Sequence, residues 1–124
     1  PTLPEWCGTG DPAKGYYAGL TGKTYAKLLI ELRSKVFPTG AYWNHTEIVS
    51  DNRLAAFAKD VSSYSFIKPA SGNTEVTVTL LYRRAFKNIV DWKKWDTPDI
   101  VMAQKKVMLR AAPNKSLSKL VSGN

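Results

Sequence analysis

Cys7 and His45 are the single cysteine and the single histidine of this 124-residue chain, and they bound its chemistry. One cysteine permits no disulfide within the chain, no CxxCH attachment of haem and no cysteine pair for zinc. One histidine means that Ser-His-Asp catalysis, an HExxH zinc site and a two-histidine metal centre would all have to pass through His45. Asp51, Asp60, Asp96 and Asp99 lie near turns. Capping and turn hydrogen bonds account for each carboxylate, so no acid–base pair is compelled. The expectation is a chain without catalytic residues or a cofactor of its own.

Three motifs touch binding chemistry. Trp43-Asn44-His45 would set an indole and an imidazole on one face of a strand. A copper-binding surface protein using Trp43 and His45 is therefore an alternative reading, with His45 the candidate metal ligand. Copper wants further nitrogen or sulfur donors, and only Met102, Met108 and Cys7 carry sulfur, so a packed Trp beside a hydrogen-bonded His is favoured. Gly19-Leu-Thr-Gly22-Lys23-Thr24 imitates a phosphate loop but has Tyr17 where the first glycine belongs. Asn44-His-Thr46 and Asn114-Lys-Ser116 fit the glycosylation pattern. The first falls in an expected strand and is read as accidental; the second falls in an expected tail.

The balance of 18 Lys and Arg against 10 Asp and Glu gives a net charge of +8, which favours acidic partners. Arg83, Arg84, Lys87, Lys93, Lys94, Lys105, Lys106 and Arg110 cluster in the second half, interleaved with Phe86, Trp92 and Trp95. That composition suits nucleic acid, yet no RNA-binding signature, helix-turn-helix or zinc module accompanies it. Nucleic-acid binding is thus a further alternative, ranked below a solvated basic face. No apolar run reaches the length of a membrane span, the longest being broken by Lys27 and Glu31. The chain opens on Pro-Thr-Leu-Pro without a leader pattern, which reads as a processed protein or a piece of a longer one.

The length suits one hydrophobic core. Residues 1–22, with glycine or proline at eight positions, read as an extended arm whose Trp6, Tyr16 and Tyr17 lie against this domain or a partner. Alternation then predicts strands over 23–33, 41–49, 60–68, 75–83 and 100–110. The Pro69–Asn73 loop predicts an antiparallel hairpin between the third and fourth of these. Phe86, Ile89, Val90 and Lys93 recur at helical spacing and predict one short helix over 84–95. The resulting expectation is a mainly β, antiparallel, immunoglobulin-like β-sandwich over 23–112 with one inserted helix, followed by a flexible tail, 113–124.

Four stretches carry a resemblance: Tyr42–Arg53 (YWNHTEIVSDNR), Asp60–Phe66 (DVSSYSF), Val76–Arg83 (VTVTLLYR) and Trp95–Ala103 (WDTPDIVMA). Together they resemble the haem-free β-sandwich segment at the C-terminal end of some bacterial multihaem c-type cytochromes, over roughly residues 25–110. The resemblance implies a binding or assembly module, non-catalytic by itself, in an electron-transfer system at a periplasmic or extracellular location. Its partner would be a multihaem cytochrome or a neighbouring copy or subunit. On that reading Trp6, Tyr16 and Tyr17 of the arm, with Arg84, Lys87, Lys93 and Lys94, are the expected partner-binding residues.

Overall fold

The computed structural model describes residues 1–110 and 120–122. In chain order the elements are β1 (Lys27–Glu31), β2 (Thr46–Asp51), β3 (Asp60–Ser62), β4 (Thr74–Tyr82), α1 (Lys87–Lys93), β5 (Ile100–Leu109) and β6 (Leu120–Ser122), preceded by 3₁₀ turns at Glu5–Cys7 and Pro12–Lys14. The chain is mainly strand, with one α-helix and antiparallel pairing throughout. Among the described residues the pairings are two strands wide: β1 with β2, β3 with β6, and β4 with β5. They fall into two compact units. One comprises Pro1–Ala56 and Arg83–Pro98; the other comprises Phe57–Tyr82 and the described residues from Asp99 on.

In the first unit, residues 1–22 form a closed loop rather than an extended arm. Thr2 bridges Thr21, Leu3 N–H donates to the Leu20 carbonyl at 2.7 Å, and Gly19 N–H donates to the Leu3 carbonyl at 2.9 Å. Glycines and prolines that forbid long elements here supply the tight turns that let the two ends meet. Beyond the loop, β1 and β2 pair with a register shift between Leu28 and Leu29. The extra residue, Val49, lies on β2, and β1 keeps its pleat: Leu28 and Ile30 on one side and Leu29 on the other are all half-buried. Asn52 ties off this ribbon by accepting from Ala26 N–H at 2.8 Å and donating to the Thr24 carbonyl at 2.7 Å. The other edge of β1 is covered by its own following segment: Thr39 N–H donates to the Leu29 carbonyl, and Glu31 N–H to Val36.

The strand expected over 41–49 starts later, at Thr46, and runs two residues further, to Asp51. Residues 41–45 form a turn instead, closed by Asn44 N–H donating to the Ala41 carbonyl. Trp43 and His45 therefore do not share a strand face, and Asn44 lies in an exposed turn.

In the second unit, β4 and β5 make the longest pairing, Thr74↔Leu109 through Tyr82↔Ile100. Its register puts Val76, Val78, Leu80 and Tyr82 on the same face as Val107, Ala103 and Ile100, with Lys105 among them. The expected hairpin between 60–68 and 75–83 does not form. Only Asp60–Ser62 is strand, and it pairs with β6, from a segment expected to be a flexible tail. Ser62, Tyr64 and Phe66 still turn inward while Val61, Ser63, Ser65 and Ile67 turn out, so the alternation survives without the ladder. The acceptor sequence at Asn114 lies outside the described residues.

Candidate interaction surface

The helix α1 is short and carries no side-chain cap at its start, so its stability must come from what packs against it. The closed loop 1–22 does this through one set of aromatic and cationic contacts. The indole of Trp6 meets the Phe86 ring edge-on, with centroids 5.7 Å apart. Arg83, just before the helix, donates from its two terminal nitrogens to the carbonyls of Cys7 (3.1 Å) and Gly15 (2.7 Å), and its guanidinium lies 5.3 Å from the Tyr17 ring centre. Lys87 places its ammonium 4.4 Å from the Tyr16 ring centre, 3.3 Å from the Lys14 carbonyl and 3.4 Å from the Asp91 carboxylate. Two cations thus knit the loop to the helix.

Gly8 marks the closest approach. It sits at φ +96°, and a Cβ there would fall 2.8 Å from the Tyr16 ring and 2.9 Å from the Lys87 stem. Only glycine fits both the backbone and the gap. The electrostatics follow from the packing. Tyr16 hydrogen-bonds the Asp91 carboxylate, which raises its phenol above the ordinary value; burial and the Asp91 charge add to the effect. Cys7 is 5% exposed, and burial raises its thiol despite the opposing pull of Arg83. Such a thiol is held neutral at physiological pH and is a poor nucleophile.

The seven expected partner-binding residues therefore divide. Trp6, Tyr16 and Tyr17 are half-buried within the first unit, and Lys87 is engaged with them. Arg84, Lys93 and Lys94 remain exposed. Arg83, Phe86 and Asp91 complete the loop–helix contact and were not among the expected residues. Their signal in the sequence is only the apolar stripe that includes Phe86.

A second aromatic group faces outward. Tyr42, Trp43 and Trp92 are 82%, 72% and 76% exposed, and the first two rings meet edge-on at 5.2 Å. The segment that leads into Tyr42 and Trp43 is seated on α1. Pro38 and Thr39 are buried, the Thr39 hydroxyl accepts from Ala41 N–H at 3.1 Å, and Asn88 Nδ2 donates to the Pro38 carbonyl at 3.2 Å. Gly40 lies against Ile89. Trp92 could have been found by elimination, because it falls off the Phe86–Ile89–Val90–Lys93 stripe and so has no place in the packed face. His45 is exposed, and no group of three His, Cys, Asp or Glu side chains able to hold a metal occurs among the described residues.

Large apolar residues are also exposed on strands: Ile48 and Val49 on β2, and Ile100, Val101, Met102 and Met108 on β5. Among the described residues no helix is long and apolar enough to cross a membrane. Compared with known proteins, the chain matches no family, no characterised protein and no solved structure.

Proposed function

We propose that this chain is a haem-free docking and assembly module of an extracytoplasmic multihaem cytochrome electron-transfer system, itself non-catalytic. The observation that carries the reading is the outward display of aromatic and aliphatic side chains, in a chain of net charge +8. Isolated exposed apolar residues are ordinary, but several on one element favour burial against a partner. Aromatic and cationic groups are also the residue types that anchor protein interfaces. The four sequence stretches that resemble the cytochrome segment give the partner its class.

The same reading supplies the finer architecture. The apolar face of β4–β5, with Val76, Val78 and Leu80 half-buried, is one layer of an immunoglobulin-like sandwich. A two-stranded ribbon is marginal on its own, so this face gains stability from a second layer.

The test is co-elution from the native source under non-denaturing conditions. The reading requires that the chain travel with Soret-absorbing, haem-staining material, or that its peptides map to a haem-bearing polypeptide. A chain that elutes alone at every ionic strength contradicts it.

A further inference from the structure

The stretch that joins β1 to β2 differs in composition from the rest of the chain. Residues 32–46 (LRSKVFPTGAYWNHT) contain no aspartate or glutamate, although the chain has 10. They carry two cations, Arg33 and Lys35, and five large exposed apolar or aromatic side chains: Leu32, Val36, Phe37, Tyr42 and Trp43. Exposed apolar residues are ordinary singly, but here they gather at one end of a ribbon.

Backbone bonds hold them there. Glu31, which ends β1, faces Thr46, which begins β2. On one side Lys35 N–H donates to the Glu31 carbonyl at 2.9 Å and Glu31 N–H donates to the Val36 carbonyl at 3.1 Å, so 32–35 fold over the end of β1. On the other side Leu32 N–H donates to the His45 carbonyl at 3.0 Å. Trp43 is two residues from His45, so their Cα atoms are at most about 7 Å apart. The nearest carboxylates in sequence are Glu31, half-buried, and Glu47, exposed on β2. At the opposite end of the ribbon charges of both signs meet: Lys27 faces Asp51, and Arg53 pairs with Asp51 at 2.8 Å.

We infer that the 32–46 end of the β1–β2 ribbon docks on an anionic lipid surface. Tyr42 and Trp43 sit at the headgroup level, where rings with one apolar and one hydrogen-bonding part are favoured. Leu32, Val36 and Phe37 enter the acyl boundary, and Arg33 and Lys35 reach lipid phosphates from stems laid along apolar surface. The interface accepts rings at any mutual angle, including the 78° between Tyr42 and Trp43. A nucleic acid would want a long cationic track in place of these aliphatic side chains. A second copy would set Arg33 and Lys35 against themselves with no carboxylate in 32–46 to answer them. The inference is independent of the cytochrome reading and needs no helix that crosses the bilayer.

The experiment is co-sedimentation of the full chain with vesicles of phosphatidylcholine, alone or mixed equally with phosphatidylglycerol, at low and moderate salt. Binding should require phosphatidylglycerol and weaken as salt rises. Trp43→Ala should weaken it about tenfold, and Tyr42→Ala, in the same exposed turn, should weaken it in the same direction. Arg33→Gln with Lys35→Asn should cost roughly thirtyfold, and asparagine suits the φ of 63° at position 35. Lys105→Gln with Lys106→Gln removes the same charge from β5 and should change binding less than threefold. Bromine on the upper acyl chain should quench tryptophan emission, and Trp43→Phe should remove most of that quenching while Trp92→Phe does not. Circular dichroism confirms that each variant folds. No binding to phosphatidylglycerol vesicles, equal losses from the β5 pair and the 33–35 pair, or quenching that survives Trp43→Phe would overturn the inference. Self-association that ignores vesicles and is abolished by Trp43→Ala would overturn it in favour of a second copy.

Discussion

Replacing Arg83 with alanine should open the 1–22 loop without unfolding the β1–β2 ribbon. Arg83 makes two hydrogen bonds to carbonyls from a part-buried position, at 3.1 and 2.7 Å, and lies against Tyr17. Hydrogen bonds involving a charged group contribute about 1.5–3 kcal/mol each, and a cation over a tyrosine about 0.5–1 kcal/mol. Taking the low end for a site partly open to water, the loss is about 3 kcal/mol, or roughly a hundredfold in the opening equilibrium. The Cys7 carbonyl also accepts from Tyr17 N–H at 3.4 Å, so its loss of Arg83 loosens the loop's internal ladder as well. Hydrogen exchange read by mass spectrometry is the assay. Amides of residues 17–20 should exchange about a hundred times faster in Arg83→Ala, while those of 28–31 hold. Arg83→Lys should fall between, because one ammonium cannot serve both carbonyls in the fork geometry. Unchanged exchange at 17–20 would refute the loop–helix contact as described.

Other outcomes follow from the same contacts. Gly8→Ala should lower the urea midpoint, costing about 1–3 kcal/mol from positive φ and crowding by Tyr16 and Lys87. Cys7 should react slowly with an aromatic disulfide reagent in the native chain and much faster in Arg83→Ala, since burial is what protects the thiol. Asn52→Ala removes two bonds at the end of the β1–β2 ribbon and should destabilise it by about 1–2 kcal/mol, seen as faster exchange at Ala26. The Asp51 carboxylate is lowered below its ordinary 3.8 chiefly by its side-chain hydrogen bond from Arg53. A depressed folded value contributes stability above the unfolded value and loses it as pH falls through the folded one. Asp51→Asn should therefore lower stability slightly at neutral pH, where the Arg53 pair contributes, and flatten the profile below about pH 4, where the native chain loses that contribution.

Much of the strand pattern was legible because alternation is a local signal. Residues 75–83 and 100–110 were legible almost to the residue, the first from alternation of apolar and polar side chains up to Leu80 and the second from its β-branched and apolar content between Pro98 and Pro113. The 60–68 segment shows the limit. Its faces were read correctly, but its pairing with β6 depends on residues about 60 positions away in sequence, which periodicity does not encode. Residues 41–45 depart from the expected strand for a related reason: Tyr42 and Trp43 suit a strand, yet the Pro38–Gly40 segment packs on α1 and the chain turns after it. In the first unit, the aromatic loop residues were recognised as contact-makers, and both this domain and a partner were open as their surface. That Arg83 and Lys87 lie beneath them follows from a contact across more than 60 residues, visible only in the fold. Trp92 was the readable residue that went unused, an indole outside the helix's own packed stripe.

Native mass spectrometry of the chain's complex, isolated from its source, tests docking to a haem protein most directly. The account predicts a species in which these residues accompany a polypeptide bearing covalent haem, separating from it as salt rises or remaining in one chain with it. A homogeneous haem-free species at every ionic strength would contradict it.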